Sequence, residues 1–305
     1  MQISNLIDAR LLSSMLRMAT PITLAALGGV MTSQAGILNI SLEGTMIISA
    51  FFAVFGSYLF QSAMMGIIFG ILAGILMSFL FSLFVIKLKA DEFVIGIALN
   101  LFATGLTVYL SKTIFGTKGS FTSDRITGIP DLHFSVLDSI PVIGEMLNNH
   151  SLFIYLSWLL VGVLYFFLYH TKWGMWMRAA GEHPEALETA GVSVLHMRYF
   201  SSTLCGIFCA LAGTHLSLGY LTMYAPNISA GRGWIAIAAS ILGKNNPVGV
   251  WGASLIFGLA DGMGMRLQGM GLPSQFTLMI PYLATILVLF FVARQQLRRF
   301  KKKHV

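Results

Sequence analysis

The feature that most limits this chain is a succession of apolar runs, most of them close to the 17–25 residues a helix needs to cross a bilayer. Nine such runs are read from the sequence, at roughly 13–31, 44–60, 64–86, 93–111, 152–170, 199–219, 233–243, 247–264 and 276–293. The seventh is too short to span alone and needs help from the irregular stretch before it. Only 10% of the 305 residues are charged, mean hydropathy is +0.79 and hydrophobic residues make up 56%. A soluble chain of this length needs more charge to cover its surface. The expected fold is an all-α polytopic membrane protein of about nine transmembrane segments, forming one domain over 1–305. The N-terminal residues lack a short apolar core followed by a small-residue cleavage site, so no cleavable leader is expected.

A net charge of +7 raises the question of nucleic acid, but its placement answers it. Arg294, Arg298, Arg299, Lys301, Lys302 and Lys303 follow the last apolar run, where the positive-inside bias puts basic residues on the cytoplasmic side. With the tail 294–305 placed inside, the loops at 87–92, 171–198 and 244–246 are also inside. The inside then holds 12 of the 19 Lys and Arg residues and the outside 7. The bias is weaker at the N-terminus, which this count leaves outside despite Arg10. Residues 112–151, rich in Gly, Ser, Thr and Pro with Asp124, Asp131, Asp138 and Glu145, read as an external loop suited to meeting another protein. Residues 171–198 read as an internal loop with a short helix entered through Pro184, a residue suited to a first helical turn.

Self-comparison suggests an internal repeat. Residues from Glu43 align with residues from Arg232, and IIFGILAG at 67–74 aligns with LIFGLADG at 255–262. In the topology above the two copies enter the membrane from opposite sides, as in the inverted repeats of many transporters. Glu43 and Arg232 are then repeat mates near opposite faces and are not expected to meet. Both copies carry Gly-x-x-x-Gly, Gly70/Gly74 and Gly258/Gly262, a spacing that lets helices pack closely. Cys205 and Cys209, four apart, are expected as small packed residues on one helical face.

Residues 33–44, SQAGILNISLEG, interrupt two apolar runs with glycines, Asn39, Ser41 and Glu43. Broken backbone at membrane depth is tolerated only where it is buried in protein or lines a cavity. Glu43, Arg232 and Asp261 would be expensive facing lipid, so each is expected at the interface, paired, or near a pathway. Asn100 sits within an apolar run, where its amide could read a ligand's donors and acceptors or bond a neighbouring helix. Trp234 and Phe93 offer aromatic surfaces for stacking, or interfacial anchors.

Several chemistries lack their motifs. Gly243-Lys244 is followed by Asn245, with Ala238 where a P-loop needs glycine. No metal-ligand spacing and no Gly-x-Ser-x-Gly turn occurs, and the seven histidines are scattered. No intrinsic enzyme and no bound cofactor is expected. A self-sufficient ion-coupled transporter would need a chain of embedded carboxylates or histidines. Glu43 and Asp261 are thin support for one.

The stretch 33–44 resembles the signature of nucleoside-type ABC permeases, within the branched-chain amino acid and ribose permease superfamily. Three further stretches fit in order: Glu92-Phe93-Val94-Ile95-Gly96 through Asn100; 178–186, RAAGEHPEA; and 231–238, GRGWIAIA, continuing into Gly243-Lys244-Asn245-Asn246-Pro247. The resemblance covers nearly the whole chain from about residue 10. It implies a permease paired with a second permease, driven by a cytoplasmic ABC ATPase that holds the ATP, and fed by an external substrate-binding protein. It also implies that 178–194 is the coupling helix, with Arg178, Gly181, Glu182, Glu185, Ala186, Ala190 and Gly191 meeting the ATPase and Gly181 and Gly191 marking bends. Asn39, Ser41, Glu43, Phe93, Asn100 and Trp234 are the candidate pathway residues. Ribose-type relatives carry a further hydrophobic segment before 13–31, which this chain lacks. The expected cargo is a nucleoside, with a sugar such as ribose as the alternative.

Overall fold

The apolar runs become helices. A computed structural model of the protein describes residues 9–133, 146–269, 279–280, 283–286 and 290. Its helices are α1 (Ala9–Gln34), α2 (Leu42–Phe60), α3 (Ala63–Ser82), α4 (Glu92–Phe115), α5 (Leu152–His170), α6 (Lys172–Glu182), α7 (Pro184–Thr189), α8 (Val194–Thr214), α9 (Arg232–Leu242) and α10 (Pro247–Gly269). A π-type turn extends α3 through Leu83–Lys87, and another extends α8 through His215–Tyr220. β1 (Asp131–Leu132) and β2 (His150–Ser151) form a two-residue antiparallel ladder that ties the two described parts of the 112–151 loop together. Among the described residues, seven helices are long and apolar enough to cross a membrane. α9, at 11 residues, is the short one. The ninth expected run, 276–293, lies largely outside the described residues, as does the basic tail.

Burial follows the packing. α1, α2 and α8 form the centre: Leu24, Leu27, Met46, Phe51, Cys205 and Cys209 are fully buried. α3, α4 and α5 keep broad apolar faces exposed, including Leu72, Leu76, Leu101 and Phe166. In water such faces would be a liability, whereas lipid is their natural solvent.

Glycines set the closest approaches. Methyl groups at Gly70 and Gly74 would run into Thr214 and Ala210 of α8, with Gly74 also against the Gly206 carbonyl. A methyl at Gly258 would strike Ala19 of α1, and Gly262 packs beside Met15. The two Gly-x-x-x-Gly pairs are thus packing faces, one on α8 and one on α1.

Candidate functional site

The helix break falls where the glycines and Asn39 predicted it. α1 ends at Gln34, Gly36 takes a positive φ of 77°, and residues 35–41 form a non-helical strap before α2. The strap climbs alongside α4. The Leu38 amide donates to the Glu92 carboxylate at 2.6 Å, Ile40 packs on Gly96, and Asn100 Nδ2 donates to the Ile40 carbonyl at 3.0 Å. Asn100 Oδ1 then accepts the Gly44 amide at 2.7 Å. From Glu92 to Asn100 is about 12 Å along a helix axis, so α2 starts well inside the bundle. Asn100 satisfies one carbonyl and one amide of the broken backbone, groups that cannot be left unpaired at this depth.

α9 also starts inside. It runs beside α1, with Ser240 Oγ donating to the Ala26 carbonyl and Gln34 Nε2 to the Asn245 carbonyl. Its 11 residues cover about 16 Å of a hydrocarbon core about 30 Å thick. Its first amides would have no partner there. Glu43 supplies it: Oε1 accepts from the Gly231 amide at 2.8 Å and from the Ser229 hydroxyl, and Oε2 accepts from the Gly233 amide at 2.6 Å. A carboxylate at a helix N-terminus is favoured by both hydrogen bonds and dipole. The expectation that Glu43 and residues 231–233 lie near opposite faces is therefore wrong. It assumed that each segment starts at a membrane face, whereas both helices begin inside the bundle.

Arg232, the first residue of α9, turns to Asp261 of α10, with Nη2–Oδ2 at 2.7 Å and side chains 14% and 15% exposed. The two embedded charges without an obvious sequence partner pair with each other, which is what makes them tolerable there.

Around these groups lies a half-open cavity of about 530 Å³, a size usual for small-molecule sites. Glu43, Asn100, Thr104, Asn227, Arg232, Trp234 and Asp261 line it together with aliphatic side chains. Of the six expected pathway residues, the structure brings Glu43, Asn100 and Trp234 to this cavity. Asn39 instead folds back, its Oδ1 accepting from the Ser41 amide and hydroxyl and its Nδ2 donating to Cys205 Sγ, and both residues are buried. Phe93 is 56% exposed on the first turn of α4, away from the cavity. Thr104 and Asn227 were missed. Thr104 was findable, one turn beyond Asn100 on the same helical face. Asn227 lies in irregular backbone that no periodicity locates.

The 171–198 stretch folds as α6 and α7, with Pro184 opening α7 and Gly191, at a φ of 80°, ending it. Glu182, Glu185, Ala186, Ala190 and Gly191 are exposed. Arg178 faces inward, its guanidinium 5.0 Å from the centre of the Tyr169 ring. Gly181 is not a bend. It lies within α6, and its missing side chain admits the backbone of Gln34–Gly36.

Seven long apolar helices among the described residues, with a polar cavity beside the starts of α2 and α9, define a multi-pass membrane transport protein. The chain belongs to the family described as the branched-chain amino acid transport system/permease component, whose model matches residues 11–289. It is similar to the guanosine ABC transporter permease NupQ of Bacillus subtilis, 33% identical over 288 residues that cover 89% of this chain and 88% of NupQ. The nucleoside ABC transporter permease NupC of Lactococcus lactis is 33% identical over 290 residues, covering 92% and 90% of the two chains. TsgC13 of Haloferax volcanii, a permease assigned to glucose, is 32% identical over 307 residues, covering 93% and 91%. In fold, the chain resembles an inward-facing transporter assigned to the metal-chelate ABC type, with a TM-score of 0.55 and 16% identity over 92% of this chain and 85% of that one.

Proposed function

We propose that this permease translocates a nucleoside as the membrane subunit of an ATP-driven importer. The observation that carries the reading is the state of the cavity's polar groups. The Trp234 indole and the Asn227 amide hydrogen-bond to no other described residue, and Trp234, 40% exposed, lines the cavity. A ring face beside a free amide suits a heterocyclic base. The α9 N-terminus, the natural receptor for a substrate carboxylate or phosphate, is already filled by Glu43. With Asp261 the lining holds two carboxylates against one guanidinium, which favours an uncharged cargo over an amino acid or a nucleotide. NupQ and NupC, named for guanosine and nucleosides, support the same substrate class.

The exposed acidic face of α6–α7 is the contact for a cytoplasmic ATPase. A second permease, identical or related, closes the open side of the cavity, which as a polar surface cannot face lipid. An external binding protein delivers the cargo to the side that carries residues 112–151. The matching roles of the two Gly-x-x-x-Gly faces, α3 on α8 and α10 on α1, support an inverted repeat in which α1–α3 correspond to α8–α10.

The test is uptake of labelled nucleosides into membrane vesicles containing this chain, its partner permease, its ATPase and its binding protein, with and without ATP. ATP-dependent uptake competed by other nucleosides is expected. The likeness to TsgC13 favours a sugar as the second reading, so ATP-dependent uptake of glucose but not of nucleosides would replace the first. Uptake by this chain alone, without ATP, would overturn the mechanism.

A further inference from the structure

Gly36 and Gly181 meet backbone to backbone. A methyl on Gly36 would come within 3.0 Å of the Gly181 α-carbon, and one on Gly181 would fall on the Gln34 carbonyl and 2.8 Å from the Gly36 nitrogen. No flexible side chain lies between them to absorb a displacement, and at this range repulsion rises steeply. From Gly36 the strap reaches Glu43 within a few residues, and Glu43 holds the first amides of α9. Along that course the strap is largely buried, and individual hydrogen bonds tie it to its neighbours: Arg198 Nε to the Ala35 carbonyl, the Leu38 amide to Glu92, Asn39 Nδ2 to Cys205 Sγ, and the two bonds of Asn100. The flanking helices α5 and α8 are different in kind. They are rods of 19 and 21 residues packed along their lengths. A rod moves as a body, whereas the strap can shift by exchanging a few bonds.

We propose that the strap is the transmission element of this permease: motion of α6–α7 enters at Gly181–Gly36 and is delivered through Glu43 to the α9 N-terminus, which moves the cavity wall. Gly181 and Glu92 are positioning residues for this step. The proposal rests on the reading of 171–198 as the ATPase contact. It requires nothing of the identity of the cargo.

Hydrogen exchange on the assembled transporter, with and without a non-hydrolysable ATP analogue, tests it. In the natural chain, exchange at 171–194 and at 36–44 changes together on adding the analogue. Gly181→Ala keeps the response at 171–194 but loses the response at 36–44 and loses uptake. A response at 171–194 with none at 36–44 in the natural chain overturns the proposal, and so does a G181A variant that keeps both responses. Should G181A fail to assemble, Glu92→Ala releases the Leu38 amide without touching the glycine contact. It is expected to keep ATP hydrolysis, lose uptake and lose the response at 40–44 relative to 36–38, and an unaltered ratio overturns the proposal. No response at 171–194 in the natural chain removes the ATPase-contact reading itself, and the strap mechanism with it.

Discussion

Glu43 and Gly233 stand 190 residues apart, yet the carboxylate of one accepts the amide of the other at 2.6 Å and joins the starts of two helices that begin inside the bundle. A methyl on Gly233 would lie 2.6 Å from Glu43 Oε2, so the fit is as tight as the bond is short. This joint organises the cavity.

Glu43→Ala leaves two amides and a hydroxyl without their acceptor in a buried place. The expected loss is about 3 kcal/mol of stability, the range for hydrogen bonds to a charged group whose partners are then left unpaired. Glu43→Gln keeps one accepting oxygen and should cost less. Thermal melts in detergent should rank the natural chain above E43Q and E43Q above E43A. Equal melting temperatures would show that the joint contributes nothing.

Asn100 works through one donor and one acceptor. Asn100→Asp can still accept from Gly44 but cannot donate to Ile40 once ionised, and it adds a buried charge. N100D is therefore expected to be worse than N100A, which should cost about 2 kcal/mol. Hydrogen exchange at Gly44 should accelerate in both variants.

Removing either member of the Arg232–Asp261 pair leaves the other charge embedded and unmatched. Each single change to a neutral isostere, Arg232→Met or Asp261→Asn, should destabilise by about 3 kcal/mol or more, and the double variant by less than the sum. A double-mutant cycle on melting free energies measures the coupling. Strict additivity would mean that the pair is not formed.

Trp234→Ala should raise the KM of nucleoside uptake about tenfold, the scale of one base–aromatic stack. Trp234→Phe should recover most of it. An unchanged KM in W234A would place the base elsewhere.

At the other end, Arg17 Nε donates to His150 Nδ1 at 3.3 Å and the Met146 carbonyl lies 2.7 Å from Nε2, so the partners fix a neutral ring protonated on Nε2. Burial pushes the His150 imidazole below its ordinary value, opposed by the Met146 carbonyl, with Arg17 adding to the depression and Asp131 working against it. A lowered imidazole value means that the fold binds fewer protons than the unfolded chain. Its stabilisation is complete above about pH 6.5 and fades as pH falls through the lowered value. The protection of 146–151 against hydrogen exchange, taken relative to the intrinsic rate at each pH, should fall on going from neutral to mildly acidic pH, and His150→Phe should remove that fall.

Much of this was legible in the sequence, for physical reasons. A run of apolar residues long enough for a bilayer has few alternatives to a helix, and eight of the nine expected runs coincide with helices. Their ends were drawn short because terminal turns such as 194–198 carry polar residues that the apolar count excludes. Embedded polar residues flagged a cavity because they cannot face lipid, and Glu43, Asn100 and Trp234 do line one. The meeting of Glu43 with residues 231–233 was hidden because a hydropathy run gives length but not depth. The backbone role of Gly181 was hidden because contacts between distant segments leave no periodic trace. Asn39 and Ser41 share the same short motif as Glu43, yet strap geometry turns them into the protein rather than into the cavity.

The short α9 also constrains how the chain is made. Its 11 residues are too few for an insertion machinery to recognise as a membrane segment by apolarity alone. The first turn of α9 exposes amides whose acceptor was synthesised some 190 residues earlier. The first turn of α9 therefore completes its hydrogen bonds only where Glu43 of the N-terminal half is in place. The carboxylate that shapes the finished cavity thus also makes the seating of a late segment depend on an early one.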